Sequence, residues 1–186
     1  MYYYGRGRAP VDVLFCNNVR RGASNAWCFP RKVEKVLKQL TAGQQVLQLF
    51  GGRSSWGTRL DLDPIVRPDV VGDAWLPPFS RDSFDVVILD PPYHRLNAQE
   101  RVALCVTAAW IARAHLIWFD TPWMDAPPSC TLEKAWLVRV GAGAFCRCLE
   151  VFRVAPVKPD PPAGFVRGPA MKYNRWLAQP AGLPFG

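Results

Sequence analysis

Nowhere does the chain hold a run of 18 or more apolar residues, so no segment is long enough to cross a bilayer as a helix and no membrane partner is expected. Its first residues, Met1-Tyr2-Tyr3-Tyr4-Gly5-Arg6, lack the apolar stretch of a secretory leader. Without such a leader, the six cysteines (Cys16, Cys28, Cys105, Cys130, Cys146 and Cys148) are expected to be reduced thiols of a cytoplasmic protein. The two-residue spacing that marks paired zinc ligands is missing too, so no metal is expected, although Cys146 and Cys148 share a strand face and could join Cys16 and Cys28. Internal repeats and blocks of like charge are absent, which argues against a solenoid or a charged disordered tail. Acids are scarce: 15 Asp and Glu stand against 23 Lys and Arg. The resulting charge of +8 favours a polyanionic partner, most often nucleic acid.

What the chain does have is apolar material, 49% of 186 residues, enough for the core of one domain. That domain is expected over residues 1–154, with 1–28 as an aromatic and basic arm carrying Arg6 and Arg8, and 155–186 as a Pro-rich tail. The organising stretch is Ser83 to Tyr93. Phe84 to Leu89 is aliphatic and β-branched enough for a strand covered on both faces, while Pro91 and Pro92 cannot donate to a sheet ladder. The chain must therefore leave the sheet at Asp90. Ligands of open α/β sheets bind outside the carboxyl ends of the strands, so Asp90 and Tyr93 are delivered to a place suited to chemistry.

Around that strand the periodicity predicts a helix over 31–40, punctuated by Pro30 and Gly43, and a strand over 45–50 that runs into the glycine turn Gly51-Gly52-Arg53-Ser54-Ser55-Trp56-Gly57. A second strand ends in the acids Asp61 and Asp63, and a very short third spans 69–73. A helix over 97–114, a strand over 115–119 and a hairpin of strands 133–140 and 145–154 follow. Strands alternating with helices predict an α/β fold: a Rossmann-like, mostly parallel sheet with a C-terminal antiparallel hairpin and a reduced helix set.

The order of glycine turn, two acids and Asp90-Pro91-Pro92-Tyr93 resembles the class I S-adenosylmethionine-dependent amino-methyltransferases of the Asp-Pro-Pro-Tyr type, which modify adenine N6 in DNA, in a minimal form without a target-recognition domain. The resemblance spans roughly residues 28–120 and implies S-adenosylmethionine as cofactor and nucleic acid, DNA ahead of RNA, as partner. It assigns catalysis to Asp90, Pro91, Pro92 and Tyr93. An aromatic exocyclic amine is a poor nucleophile because its lone pair is delocalised into the ring. Acceptors on both of its N–H groups, here Asp90 and the Pro91 carbonyl, push the nitrogen toward a reactive tetrahedral shape, and Tyr93 stacks on a base rotated out of its helix.

For the cofactor, the resemblance implies that Phe50, Gly51 and Gly52 bring backbone against the methionine part, with Phe29 and Pro30 packing on the same end. Asp61, or failing it Asp63, holds the ribose hydroxyls; a helix cap is the plainer role for either. Asp73 accepts from the adenine amine, with Ala74 and Trp75 beside the ring. The sequence departs from the pattern twice. Gln48 stands where an acid usually precedes the Phe by two residues, and only ten positions separate Gly51 from Asp61, too few for the usual crossover helix.

Two other functions compete. RNA base methyltransferases such as those acting on guanine N2 carry a similar Asp-Pro-Pro-aromatic motif, whereas N4-cytosine and protein-glutamine enzymes usually begin theirs with Ser or Asn. A non-catalytic nucleic-acid-binding module on a decayed methyltransferase fold is the third reading, supported by Gln48 and the missing helix. Little room remains for a recognition region, so a homodimer or partner is expected to supply specificity. His94 and His115 read as local or structural partners, because the transfer needs no strong base. Of Trp118, Thr121-Pro122-Trp123 and Tyr173-Asn174-Arg175-Trp176, most aromatics are expected in the core.

Overall fold

In the computed structural model, residues 11–16, 28–92, 96–120, 125–140 and 146–158 are described. Their strands are β1 (Val11–Cys16), β2 (Val46–Leu49), β3 (Thr58–Asp61), β4 (Val70–Val71), β5 (Phe84–Leu89), β6 (Ala112–Asp120), β7 (Cys130–Val140) and β8 (Cys146–Val154). They form one mixed sheet in the order β1-β7-β8-β6-β5-β2-β3-β4. β2 pairs in parallel with both β3 and β5, and β5 with β6, while β8 runs antiparallel between β6 and β7. This is the expected α/β, Rossmann-like sheet with its antiparallel hairpin. The chain builds outward from β2 to β3 and β4 on one side, then returns to β5 and β6 on the other. The reversal between β2 and β5 is the topological switch point, the place outside the carboxyl ends of the strands where open α/β sheets bind their ligands.

Two helices cover the sheet, α1 (Arg31–Leu40) and α2 (Ala98–Ile111). Side chains alternate across a strand, so Val46 faces one side of β2 while Leu47 and Leu49 face the other. Val33 and Leu37 of α1 pack with Val46, Val86, Ile88 and Phe119. Leu104, Ala108 and Ile111 of α2 pack with Leu47, Leu89, Trp118 and Phe152 on the opposite face. Each buried leucine contributes about 1.5–3 kcal/mol, so burial on both faces fixes strand register more firmly than the ladder alone. Among the described residues no helix is long and apolar enough to cross a membrane.

Several boundaries differ from the sequence expectation. Residues 1–28 were assigned to an arm, yet Val11–Cys16 pairs in parallel with β7 as the edge strand of the sheet. Val11, Val13 and Phe15 of that strand are exposed, while Leu14 and Cys16 turn toward the core. Helix α2 stops at Ile111, and residues 112–114 already belong to β6. Its start is a capping box: the Asn97 side chain accepts from the Glu100 amide at 2.9 Å, and Glu100 accepts from the Asn97 amide at 2.8 Å. Its end is held by Lys158, whose Nζ donates to the carbonyls of Ala109 (3.0 Å), Trp110 (3.3 Å) and Ala112 and to Asp82. That lysine, in the stretch read as an irregular tail, is buried. β2 and β3 are joined with no helix between them, so the short link is a turn.

Candidate active site at the carboxyl edge of the sheet

Strand register places the site. Leu49 lies level with both Leu60 and Leu89, and Leu89 with Trp118. One residue further along, Phe50, Asp61, Asp90 and Phe119 stand side by side on neighbouring strands about 4.8 Å apart. β8 runs the other way and pairs Cys148 with Asp120, so its Arg147 also reaches this edge.

The glycine turn leaves β2 under strain. Phe50 has φ 62° and Gly52 φ 50°, and a bulky residue in the left-handed region is rare outside functional turns. Gly51 has no room for a side chain: a Cβ there would lie 2.8 Å from the Arg59 Cβ and 3.2 Å from the Gln48 carbonyl oxygen. Asp61 ties the turn to β3, its Oδ2 accepting from the Gly52 amide at 2.9 Å and its Oδ1 from the Asp63 amide at 3.0 Å. Arg59 braces the same turn, donating to the carbonyls of Gly52 (3.4 Å) and Arg67 (2.6 Å) and to Asp69 (3.1 Å). Gln48 is buried, and its Nε2 donates to the Trp56 carbonyl at 2.5 Å. Three buried polar atoms around the turn, Gln48 Oε1, Ser54 Oγ and Trp56 Nε1, have no hydrogen-bond partner among the described residues. Such a concentration suits a polar ligand, since unpartnered buried groups are costly.

The acids beyond β3 and β4 have local roles as well. Asp63 caps the single 3-10 turn Pro64–Val66, accepting from the Ile65 amide at 2.9 Å, which is the plainer reading of that residue. Asp73 accepts from the Trp75 amide at 3.0 Å, Ala74 is buried beneath it, and Trp75 packs on the core.

Asp90 is largely enclosed, with 11% of its side chain exposed. Arg147 donates from Nη2 to Asp90 Oδ1 and, at 2.8 Å, to the Phe119 carbonyl. To reach β5 from β8 its side chain has to cross β6, and it does so flat on the Phe119 ring, 3.6 Å from the centroid. Phe29, just ahead of α1, meets the same ring at 5.9 Å between centroids. Burial pushes the Asp90 carboxyl above the ordinary aspartate value, and Arg147 opposes that rise by charge and hydrogen bond. On the opposite face, Arg101 donates to the buried Asp120 at 3.0 Å. Nearby, burial, reinforced by Glu150, pushes the Cys148 thiol up to about 12, so it stays protonated. Among the described residues no cluster of three or more metal-binding side chains occurs, and the cysteines are free.

Register thus sets Phe50, Asp61 and Asp90 level at one edge, with Gly51, Gly52, Pro91 and Pro92 just beyond it; Asp73 and Ala74 follow β4, whose Val71 is level with Asp61, Phe29 meets the edge through Phe119, and Pro30 precedes α1 beside Phe29. Tyr93 and His94 lie outside the described residues, as do Arg6, Arg8, Thr121-Pro122-Trp123 and Tyr173-Asn174-Arg175-Trp176. His115 meets Glu133 at 3.1 Å, away from this edge. Sequence reading missed Arg147 and Arg59. The signal for Arg147 was there: a lone guanidinium inside the apolar run Cys146-Arg147-Cys148-Leu149 must find a buried partner.

No protein-family model matches the chain, and no curated protein matches it by sequence. Solved structures do. Magnesium protoporphyrin IX methyltransferase from Synechocystis PCC 6803, solved with S-adenosylmethionine bound, superposes with TM-score 0.51 at 14% identity, over 67% of this chain and 79% of that one. A candidate RNA methyltransferase from Pyrococcus horikoshii gives 0.51 at 10% identity, over 75% and 93%. The candidate methyltransferase yhhF from Escherichia coli gives 0.50 at 15%, over 81% and 93%. With the strand order and switch point above, these similarities identify the fold as that of the class I S-adenosylmethionine-dependent methyltransferases.

Proposed function

We propose that the chain is an S-adenosylmethionine-dependent methyltransferase acting on the exocyclic amine of a nucleic-acid base, with adenine N6 in DNA as the first target. One observation carries this reading: Asp90, Pro91 and Pro92 end β5 at the switch point, level with the strained glycine turn of β2, within a methyltransferase fold. The cofactor supplies an electrophilic methyl group on a cationic sulfur. Its amino-acid end suits the turn, where Gly51 and Gly52 allow close backbone approach and Gln48 Oε1, Ser54 Oγ and Trp56 Nε1 lack partners among the described residues. Gln48 therefore stands in for the missing acid with a neutral acceptor. Asp61 spends one lone pair of each oxygen on backbone amides, and a carboxylate has about four such sites, so acceptors remain for ribose hydroxyls. Asp73 keeps Oδ2 for the adenine amine, because its bond from the Trp75 amide uses Oδ1.

Asp90 and the Pro91 carbonyl accept the two N–H groups of the target amine, and Tyr93 stacks on the flipped base. The net charge of +8 provides the attraction to a polyanion. An RNA base, guanine N2 for example, is the second reading. It is favoured because the interval between the glycine turn and Asp90 is taken up by β3, β4 and their turns, which leaves no separate recognition unit there. Incubation with labelled donor and both polymers, followed by digestion to nucleosides, tests the choice. N6-methyladenosine in DNA is expected; N2-methylguanosine alone would transfer the reading to RNA, and no heat with S-adenosylmethionine in calorimetry would leave only a binding module. Asp90→Ala is expected to lower turnover by about a hundredfold or more while donor affinity stays near that of the parent protein. Parent-level turnover in that variant removes Asp90 from the mechanism.

A further inference from the structure

Arg147 lies in the candidate site with no part in the reading above, and its geometry is specific. Its guanidinium bonds one oxygen of Asp90 and the Phe119 carbonyl while lying flat on the Phe119 ring, and the residue is only 7% exposed. We infer that Arg147 is the positioning residue of the amine-binding carboxylate: it holds Oδ1 of Asp90, leaves Oδ2 to face the crevice, and keeps the group an acceptor. The inference rests on the proposed role of Asp90 as amine acceptor.

Three features lead there. First, a carboxylate with one oxygen tied to a buried arginine can no longer rotate freely about its last bond, so its other oxygen has a fixed direction. Positioning of this kind accounts for much of the rate when a reaction needs in-line approach. Second, the planar fork can satisfy a carboxylate and a carbonyl while stacked on an aromatic face, which an ammonium cannot copy. Third, the crevice desolvates Asp90, and a protonated acid there would donate where the amine needs an acceptor. Among the described residues the other charged groups do not replace Arg147. Asp120 of β6 pairs with Arg101 of α2 on the opposite face of the sheet, Glu150 of β8 is buried on that face, and Arg53 of the glycine turn and Arg31 and Lys32 of α1 are exposed to solvent. The consequence is a selectivity for substrates that bring N–H donors to this point. A substrate presenting only an acceptor would meet an oxygen whose accepting, ionised form Arg147 favours against burial.

The test needs no substrate in its first arm. The carboxyl of Asp90 is titrated by carbon NMR in the full chain and in Arg147→Gln, with Asp90→Asn used to assign the signal. The midpoint is expected to rise by about one pH unit or more in Arg147→Gln. An unchanged midpoint overturns the inference, whatever the protein methylates. In the second arm, the acid limb of kcat/KM is expected to move up by the same amount, with activity partly recovered at higher pH and donor affinity unchanged. A limb that stays put while only kcat falls makes Arg147 merely structural and also overturns the inference. Should Arg147→Gln fail to fold, Arg147→Lys carries the test: its acid limb stays near that of the parent, while kcat drops about tenfold because the fork and its stacking are lost. Parent-level kcat in Arg147→Lys overturns it. Loss of the Asp90 role itself would show separately, as parent-level turnover of Asp90→Ala.

Discussion

At the scale of single residues, the site depends on groups that are small or tied down. Gly51 is the clearest case, because its nearest neighbour is the Cβ of Arg59, a part of that side chain that cannot swing aside. Arg59 is itself fixed by Asp69 and by two carbonyls, so the clash cannot be relieved cheaply. Gly51→Ala is therefore expected to cost about 1–3 kcal/mol of stability and to weaken S-adenosylmethionine binding together with it. Urea unfolding and calorimetry on the same variant check both, and an unchanged midpoint would mean that the turn gives way. Residue roles were legible in the sequence where chemistry limits the choices. A Pro-Pro pair ends a strand, and an Asp before Pro64 caps a turn. Arg147 was harder to see because its partner, Asp90, lies 57 positions away, and only the order of the strands brings the two together.

At the scale of elements, β5 was read from sequence with both ends correct, since its apolar run is bounded by Asp90 and two prolines. The end of α2 was not. Ala112, Arg113 and Ala114 suit a helix by propensity, but the last carbonyls of α2 are claimed by Lys158, which stands 46 positions further on from Ala112. An ammonium at this end also complements the helix dipole. Lys158→Met removes the donor while keeping the apolar stem, leaving the carbonyls of Ala109 and Ala112 buried with one partner fewer. The expected loss is about 1–3 kcal/mol in urea unfolding, with the amides of α2's final turn exchanging faster than those of β5. If stability holds and exchange is unaltered, the lysine contributes nothing to the helix end. β1 escaped notice for a related reason: its six residues form a strand only because β7 offers an edge, and nothing local marks the pairing.

At the scale of the whole molecule, the positive excess and the placement of acids together set how the fold responds to pH. The chain carries +8 at neutral pH, so protonating carboxylates adds to an existing self-repulsion. Asp85 adds a specific effect. Its Oδ2 accepts from the Gln45 amide at 2.9 Å and its Oδ1 from Arg113, joining the entry to β2, the start of β5 and the start of β6. The Gln45 amide first, with Arg113 after it, holds the Asp85 carboxyl below the ordinary aspartate value; Lys158 does the same for Asp82, and Arg59 for Asp69. A group depressed on folding stabilises the native state above its unfolded value, near 3.9, and that contribution is lost as pH falls through the folded value. Asp90 acts with the opposite sign, because burial raises it: its ionisation costs stability as pH rises, and acid relieves that cost. Three depressed acids oppose one raised acid, so unfolding free energy is expected to fall between about pH 5 and about pH 3. Denaturant titrations at the two pH values measure the drop. Asp85→Asn should show a smaller drop than the parent, since the amide keeps one acceptor for Gln45 but has no proton to take up. Equal drops in the two proteins would assign acid sensitivity to overall repulsion and not to the clamp at the base of the sheet.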